Sequence, residues 1–220
     1  TVIEKIGHFL DQENNRLFKE YNEKGYNNKE ISSLIAKNMD IPSILKNASM
    51  DWDGGYTMAG LIGHGDAFVL RDPNGIRPAF WYEDDEVLVV TSERPVIQTA
   101  FNVKWENVNE LKPGHALIVK KDFELKEVEI NSPSNLQKCS FERIYFSRGT
   151  DKDIYKERLM LGSLVTPQVL EAVNFDLKRT VFSFIPNTAE MSYYGMIKAT
   201  EDYLSGVKKK KIQELEQKEE

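Results

Sequence analysis

A short polar loop late in the chain has the setting of a phosphate-binding loop. It follows a hydrophobic run at 180–186 that predicts a strand, and it precedes a predicted helix from Met191 to Leu204. Ligands of open α/β sheets bind beyond the carboxyl ends of strands, and the free N–H groups of a helix N-terminus favour phosphate. Thr188 could add a hydroxyl donor, although an ordinary N-cap in a polar turn has the same pattern. The candidate binding residues are Asn187, Thr188, Ala189 and Glu190.

The histidines and the single cysteine form no recognisable catalytic or metal-binding pattern. His8, His64 and His115 contain no HxxxH-type pair, so we interpret them as structural or solvated. Cys139 could be a nucleophile or one ligand of a cluster, but no base adjoins it in sequence, and unpaired cysteines are commonly small buried hydrophobes. One cysteine also excludes an intramolecular disulfide and a four-cysteine zinc site. We therefore assign no catalytic residue and no metal ligand to this chain.

Composition limits the class of protein further. The 220 residues include 29 Lys and Arg against 35 Asp and Glu, which gives a net charge of −6, and 40% of the residues are hydrophobic. These values are typical of a folded chain rather than a disordered one. The mild acidity gives no electrostatic footprint for nucleic acid, and no apolar run approaches the roughly 18 residues that span a membrane. We expect a reduced, cytoplasmic protein with neither nucleic acid nor membrane as a partner.

The first 135 residues must supply most of the structural framework. Residues 1–50 predict three helices, because their apolar residues recur at helical spacing and Gly25 interrupts the pattern. From Tyr56 to Ile130 the chain predicts strands separated by turns. The polar connector at 131–135 is the preferred domain boundary.

The remainder of the chain predicts the start of an α/β unit. The last segment, the charged tail at 207–220, predicts a solvated helix. The predicted elements are a strand at 141–146, a helix at 154–161, a helix at 165–173 that starts at Pro167, the strand at 180–186 and the helix from Met191.

Residues 54–95 carry a family resemblance. The run GGYTMAGLIGHGDAFVLRDPNGIRPAFW, followed by VLVVTSERP, resembles the glutaminase domain of class II glutamine amidotransferases. Within that family, RDPNGIRP and the pair Ser92-Glu93 resemble the amidophosphoribosyltransferase branch. The later segments ELKPGHALIV, CSFERIYFSRGTD and TVFSFIPNTAEMSYYGM resemble, in the same order, a later strand, the segment joining two domains and a pyrophosphate-binding loop.

The resemblance implies a fold and an activity. The fold would be α+β followed by α/β: part of an N-terminal-nucleophile αββα amidotransferase domain at 1–135, then the start of a phosphoribosyltransferase-like domain at 136–206. Such enzymes hydrolyse glutamine at an N-terminal cysteine and pass the ammonia to 5-phosphoribosyl pyrophosphate (PRPP), giving 5-phosphoribosylamine for purine synthesis. Magnesium accompanies the pyrophosphate, and the parent enzyme would be a homo-oligomer that binds glutamine and PRPP.

Some motif positions carry over and others do not. Four residues match, and we interpret them as scaffold that fixes loops around the glutaminase pocket: Arg71, Asp72, Arg77 and Glu93. His115 stands where the family usually has Glu, and Asn187 and Ala189 depart from its Glu-Thr-Ser loop. Cys139 matches a cysteine that is an iron–sulfur ligand in some members, but its partner ligands would lie downstream, so we expect no cluster.

The family's catalytic parts fall outside the matched region. Its nucleophile cysteine and glutamine-binding residues lie upstream of it, and its acidic phosphate-binding motif lies downstream. We therefore expect a fragment without glutaminase or transferase activity of its own. Two alternatives remain open: another class II amidotransferase, or a divergent, non-catalytic amidotransferase-fold protein with a binding or regulatory role.

Overall fold

The computed structural model describes residues 1–134 and 136–219 and divides the chain into two compact units. The first unit runs from Thr1 to Cys139, and the second begins at Ser140. The predicted boundary at 135 falls on Asn135, which lies outside the described residues, as does the last residue of the predicted tail, Glu220.

Three N-terminal helices form one side of the first unit, as the sequence predicts. Thr1 with Glu4 and Asn27 with Glu30 form capping boxes that satisfy free N–H groups at the starts of the first two helices. Asp40 caps the third helix by accepting from the backbone N–H of Ser43. The helices are α1 (Val2–Glu23), α2 (Asn28–Asn38) and α3 (Ile41–Ser49).

In the described residues of the first unit, seven strands form two antiparallel sheets. The first sheet has the strand order β1-β2-β6-β7, and the second has the order β4-β3-β5. The helix α4 (Arg94–Phe101) follows β4. The strands are β1 (Thr57–Leu61), β2 (Ala67–Arg71), β3 (Phe80–Glu83), β4 (Leu88–Thr91), β5 (Asn109–Glu110), β6 (His115–Val119) and β7 (Leu125–Glu129).

Side-chain alternation along the strands sorts these elements into four layers. On one face of the first sheet, Phe68 and Ile118 pack with the apolar faces of α1 to α3. On its other face, Val69 and Leu117 pack against Trp81 of the second sheet. Helix α4 covers the opposite face of that second sheet, because its Arg94 lies over the Phe80 ring, the neighbour of Trp81 in β3. The order is helix, sheet, sheet, helix, as the resemblance implied for this part of the chain.

The second unit differs from the sequence prediction because its described residues, 140–219, form helices and irregular segments only. The run predicted as a strand at 141–146 is a π-helical turn at Glu142–Phe146. Short apolar runs do not distinguish strand from helix. The turn is held by buried Arg158, whose guanidinium donates to the carbonyls of Arg143 and Ser147.

Two further predictions for this unit differ in part or in whole from the structure: residues 154–161 and 165–172 are helical as predicted, but the break between them is absent. The helices predicted at 154–161 and 165–173 are one helix, α5 (Lys152–Ala172), with Pro167 inside it. The run at 180–186 is not a strand, and Val181 and Ile185 are 91% and 83% exposed, since no strand of this unit is available to pair with it in the described chain. The predicted final helix is confirmed as α6 (Glu190–Glu219), and it continues through the charged tail.

Helices α5 and α6 pack through two glycines. A Cβ atom placed on Gly162 would lie 1.8 Å from the Ser192 carbonyl oxygen, and one placed on Gly195 would lie 2.0 Å from the Leu159 carbonyl oxygen. Both obstacles are backbone atoms, so no side-chain rotation can relieve them. The hydroxyl of Ser163 donates to the Gly195 carbonyl at 3.2 Å across the same contact.

We predict that Gly162→Ala destabilises the helix pair. Alanine is the better helix former by about 1 kcal/mol, but the clash with α6 should outweigh this and lower the free energy of unfolding by about 1–3 kcal/mol. Urea unfolding followed by circular dichroism measures the effect. Gly206→Ala, at a glycine of α6 with open space around it, is the matched control and should be neutral or stabilising. Equal stability of the two variants would contradict the close packing.

Candidate functional site

Arg71 fixes the turn that follows β2. The residue is 3% exposed at the end of the strand. Its guanidinium donates through Nε to the Arg77 carbonyl at 2.7 Å and through Nη2 to the Gly75 carbonyl at 3.3 Å. Nη1 donates to the carbonyl of Leu111 and to Oε1 of Glu110, the latter at 2.9 Å. One side chain thereby joins the turn at 72–78 to the second sheet.

Asp72 holds the same turn from its other side. Its carboxylate is completely buried and accepts from the backbone N–H groups of Asn74, Ile76 and Arg77, each at 3.0 Å. Burial and the nearby Asp72 charge raise the pKa of the Tyr56 hydroxyl. The carboxylate is therefore used to order backbone rather than to contact a ligand.

Two glycines allow the turn and its neighbour to approach each other. Gly75 has a φ of 65° and Gly114 a φ of 72°, in the left-handed region that favours glycine. A Cβ on Gly114 would lie 2.2 Å from the Asn131 carbonyl oxygen. The Gly114 N–H donates to the Asp72 carbonyl at 3.0 Å, which links the turn to the start of β6.

The four motif residues occupy two places. Arg71, Asp72 and the backbone of Arg77 belong to one hydrogen-bonded turn. Glu93 is the N-cap residue of α4, where its carbonyl accepts from the Thr91 hydroxyl at 2.9 Å. Their interpretation as loop-fixing residues around a glutaminase pocket stays a prediction.

A second buried acid, Asp66, was missed by the sequence analysis. It lies between β1 and β2, is 1% exposed, and accepts from Lys120 Nζ and from the Lys121 N–H, the latter at 2.8 Å. His64 Nε2 lies 3.0 Å from its Oδ2. Burial acts to raise the pKa of Asp66, but the contacts with Lys120 and His64 outweigh it and lower that pKa. In the sequence, the signal for this contact was the position of Asp66 directly after the Gly-His-Gly turn.

The predicted phosphate loop is a turn that leads directly into α6. The Asn187 carbonyl accepts from the Glu190 N–H at 3.3 Å, and the Ala189 carbonyl accepts from the Tyr193 N–H at 2.9 Å. Thr188 is half-buried. The Glu190 carboxylate, in the first turn of the helix, accepts from the Tyr194 hydroxyl at 3.2 Å and raises the pKa of that hydroxyl. The loop lies at the N-terminus of α6, where the helix dipole favours an anion. The Glu190 carboxylate already supplies a negative charge at this position.

The remaining candidate groups are Cys139, His115 and His8. Cys139 is half-buried and not in a disulfide. His115 Nδ1 lies 2.9 Å from the Pro113 carbonyl oxygen, and His8 Nε2 lies 3.0 Å from Gln12 Nε2. Across residues 1–134 and 136–219, no three His, Cys, Asp or Glu side chains are arranged to hold a metal. No helix in the same residues is long and apolar enough to cross a membrane.

Two solved structures have a fold related to that of this chain. A glutamine PRPP amidotransferase from B. subtilis, complexed with ADP and GMP, superposes with a TM-score of 0.55 at 22% identity, over 84% of this chain and 41% of that chain. A second structure, described as the allosteric regulatory enzyme of purine biosynthesis, gives a TM-score of 0.54 at 22% identity, over 84% and 40%. The fold is therefore related to that of this class of enzyme.

Curated relatives identify one enzyme within that class. Amidophosphoribosyltransferase of Lachancea kluyveri is 31% identical over 163 residues, which is 69% of this chain and 31% of the relative. The enzyme of Pasteurella multocida is 33% identical over 132 residues, 56% of this chain and 25% of the relative. No family model matches the chain. The resemblance drawn from the motifs is confirmed: the chain corresponds to part of an amidophosphoribosyltransferase, and it spans about a third of the length of the first of these relatives.

We predict that Arg71→Lys destabilises the first unit. A lysine ammonium cannot reach the four oxygens that the planar guanidinium contacts, so the free energy of unfolding should fall by about 2 kcal/mol. Urea unfolding monitored by tryptophan fluorescence measures this. Arg179→Lys, at a guanidinium that is 88% exposed, is the matched control and should change stability little. An unchanged free energy of unfolding in Arg71→Lys would show that the turn does not need the guanidinium.

We also predict that Asp66→Asn destabilises the chain by about 1–3 kcal/mol at pH 7. Because the folded pKa of Asp66 lies below its unfolded value of about 3.9, the charged form supplies stability above that value. That stability is lost as pH falls through the folded pKa. Urea unfolding between pH 7 and pH 2 should show the difference from wild type shrinking below about pH 4. Asp85→Asn, in the exposed β3–β4 turn, is the control, and a difference independent of pH would contradict the assignment.

Proposed function

We propose that this chain is part of an enzyme that hydrolyses glutamine and transfers the ammonia to PRPP, giving 5-phosphoribosylamine in the cytoplasm. The observation that carries the proposal is the match to amidophosphoribosyltransferases from several organisms, at 26–33% identity over 53–69% of this chain. The helix, sheet, sheet, helix order of the first unit supports it. A divergent binding protein gains no support from these relatives.

The proposal divides the work along the chain. Residues 1–135 belong to the glutaminase domain, where the turn fixed by Arg71 and Asp72 supports a pocket completed by other parts of the enzyme. Residues 136–206 begin the phosphoribosyltransferase domain, and 207–220 form the charged tail. Magnesium accompanies PRPP in the whole enzyme, which is a homo-oligomer, and no residue of this chain is assigned to the metal or to an iron–sulfur cluster.

One feature of the loop at 187–190 favours phosphate binding. Thr188 matches the family loop and lies two residues before Glu190, the first residue of α6, where N–H groups lack intrahelical partners. The Glu190 carboxylate opposes an anion at this place unless it turns away or is bridged by a cation. We propose that Thr188 contacts the pyrophosphate and that Glu190 does not.

The test uses the chain alone and a chimera in which it replaces the matching segment of the Lachancea kluyveri enzyme. The chain alone should release no glutamate from glutamine above buffer. The chimera should release glutamate and, with PRPP and Mg²⁺, pyrophosphate. Replacing the upstream nucleophile cysteine by alanine is the control, and it should abolish both products.

A substitution in the same chimera tests the loop. Thr188→Val removes the hydroxyl and should raise the KM for PRPP about fivefold or more, through loss of a hydrogen bond to a charged group, while glutamine hydrolysis is unchanged. Ser205→Ala, an exposed hydroxyl of α6, is the matched control. A folded chimera without either activity would overturn the proposed function, and an unchanged KM in Thr188→Val would remove only the loop assignment.

A further inference from the structure

The segment that leads into the predicted phosphate loop has one covered side. Along residues 181–185 the burial alternates: Phe182 and Phe184 are half-buried, whereas Val181 and Ile185 are 91% and 83% exposed. Alternation at every second residue is typical of an extended chain that is covered on one side. Because the segment pairs with no strand within the described residues, its position depends on what covers the two phenylalanines.

Tyr193 of α6 contacts this covered side in two ways. The centroid of its ring lies 4.9 Å from that of the Phe184 ring, with an angle of 33° between the ring planes, which is within the range of favourable aromatic pairs. Its hydroxyl donates to the Phe182 carbonyl at 3.4 Å. One half-buried side chain therefore binds the segment through both a ring and a backbone oxygen. Because the hydroxyl already donates to the protein's own backbone, Tyr193 acts on the segment rather than on a ligand.

The part of α6 that carries Tyr193 is packed closely against α5. The Ser192 carbonyl faces Gly162, and Gly195 faces the Leu159 carbonyl, both at distances that leave no room for a Cβ atom. Tyr193 lies between these two contact positions in α6. The backbone of Tyr193 is therefore held in place by the packing of the two helices, and its side chain extends this fixed position to the segment before the loop.

A second aromatic pair on α6 has a similar geometry but a different location. The Tyr203 ring lies 5.5 Å from the Phe175 ring, with an angle of 34° between the planes. Tyr203 follows Tyr193 by ten residues, which is about 15 Å along the helix axis. The two pairs hold opposite ends of the connection between α5 and α6, and only the pair of Tyr193 with Phe184 adjoins the loop. Tyr203 is therefore a matched comparison for Tyr193.

We propose that Tyr193 is a positioning residue for the loop at 187–190, and that it sets where Thr188 meets the pyrophosphate of PRPP. The identity of the ligand rests on the proposed function, whereas the contacts of Tyr193 do not depend on it. With Tyr193 in place, the loop is ordered before the ligand arrives. Without it, binding must also order the loop, which weakens the binding of PRPP and leaves the chemical step unchanged.

Amide hydrogen exchange in the chain alone tests the positioning without relying on the proposed function. The reporter is the Glu190 N–H, which donates to the Asn187 carbonyl across the loop. Tyr193→Ala should speed the exchange of this amide at least tenfold, because the segment before the loop is released. Tyr203→Ala is the matched control and should leave the exchange at Glu190 as in wild type. Unchanged exchange at Glu190 in Tyr193→Ala would overturn the proposal.

A milder variant separates the ring contact from the hydrogen bond. Tyr193→Phe keeps the ring on Phe184 and loses only the hydrogen bond to the Phe182 carbonyl, so exchange at Glu190 should rise about twofold to fivefold. Circular dichroism measured alongside should show that all variants keep the helix content of wild type. If Tyr193→Ala fails to fold, Tyr193→Phe decides, and unchanged exchange at Glu190 in that variant would overturn the proposal.

Kinetics in the chimera with the Lachancea kluyveri enzyme test the consequence for PRPP. Tyr193→Ala should raise the KM for PRPP about tenfold while kcat and glutamine hydrolysis stay unchanged, a split that general loss of structure would not produce. Tyr203→Ala should keep the wild-type KM. An active chimera with an unchanged KM in Tyr193→Ala would overturn the proposal and leave the proposed function standing. Faster exchange at Glu190 together with a folded chimera that lacks both activities would support the positioning and overturn the proposed function.

Discussion

The first unit depends on the pairing of a buried guanidinium and a buried carboxylate with the backbone of a single turn. Arg71 donates hydrogen bonds to carbonyl oxygens of the turn and of the segment that follows β5. Asp72 accepts hydrogen bonds from backbone N–H groups of the same turn. Neither residue could be buried without such partners, because an unsatisfied charge in the interior costs several kcal/mol. The same hydrogen bonds therefore order the turn and join it to the second sheet.

The sequence was sufficient to predict the first unit because its local signals agree with its tertiary structure. Capping residues and Gly25 mark the three helices, and turn residues such as Asp72, Gly75 and Gly114 separate the strands. The family motif RDPNGIRP added the fold class, which periodicity alone could not supply. The sequence did not reveal Asp66, because its partner Lys120 is distant in the chain and is placed beside it by the pairing of β2 with β6.

In the second unit, local pattern and tertiary context disagree. The run at 141–146 has the composition of a strand, but it forms a π-helical turn whose Arg143 carbonyl, with that of the following Ser147, accepts from the side chain of Arg158, the seventh residue of α5. Pro167 predicts the start of a helix, but it lies inside the 21-residue helix α5. The helix continues through it although proline has no backbone N–H to donate. The run at 180–186 has strand composition without a strand beside it. A sheet is a tertiary structure, so a strand signal can be realised only where its neighbour is present.

The contact between α5 and α6 has a consequence for how this protein can vary. Every base change in the first two positions of a glycine codon produces either a stop codon or a residue with a Cβ atom. At Gly162 and Gly195 that atom meets a carbonyl oxygen of the facing helix. No substitution at either position is therefore mild, and a change at one glycine cannot be offset by a smaller residue at the other, since none exists. A larger residue at either position can be accommodated only if α5 and α6 move apart. The distance between these two helices is therefore tightly constrained.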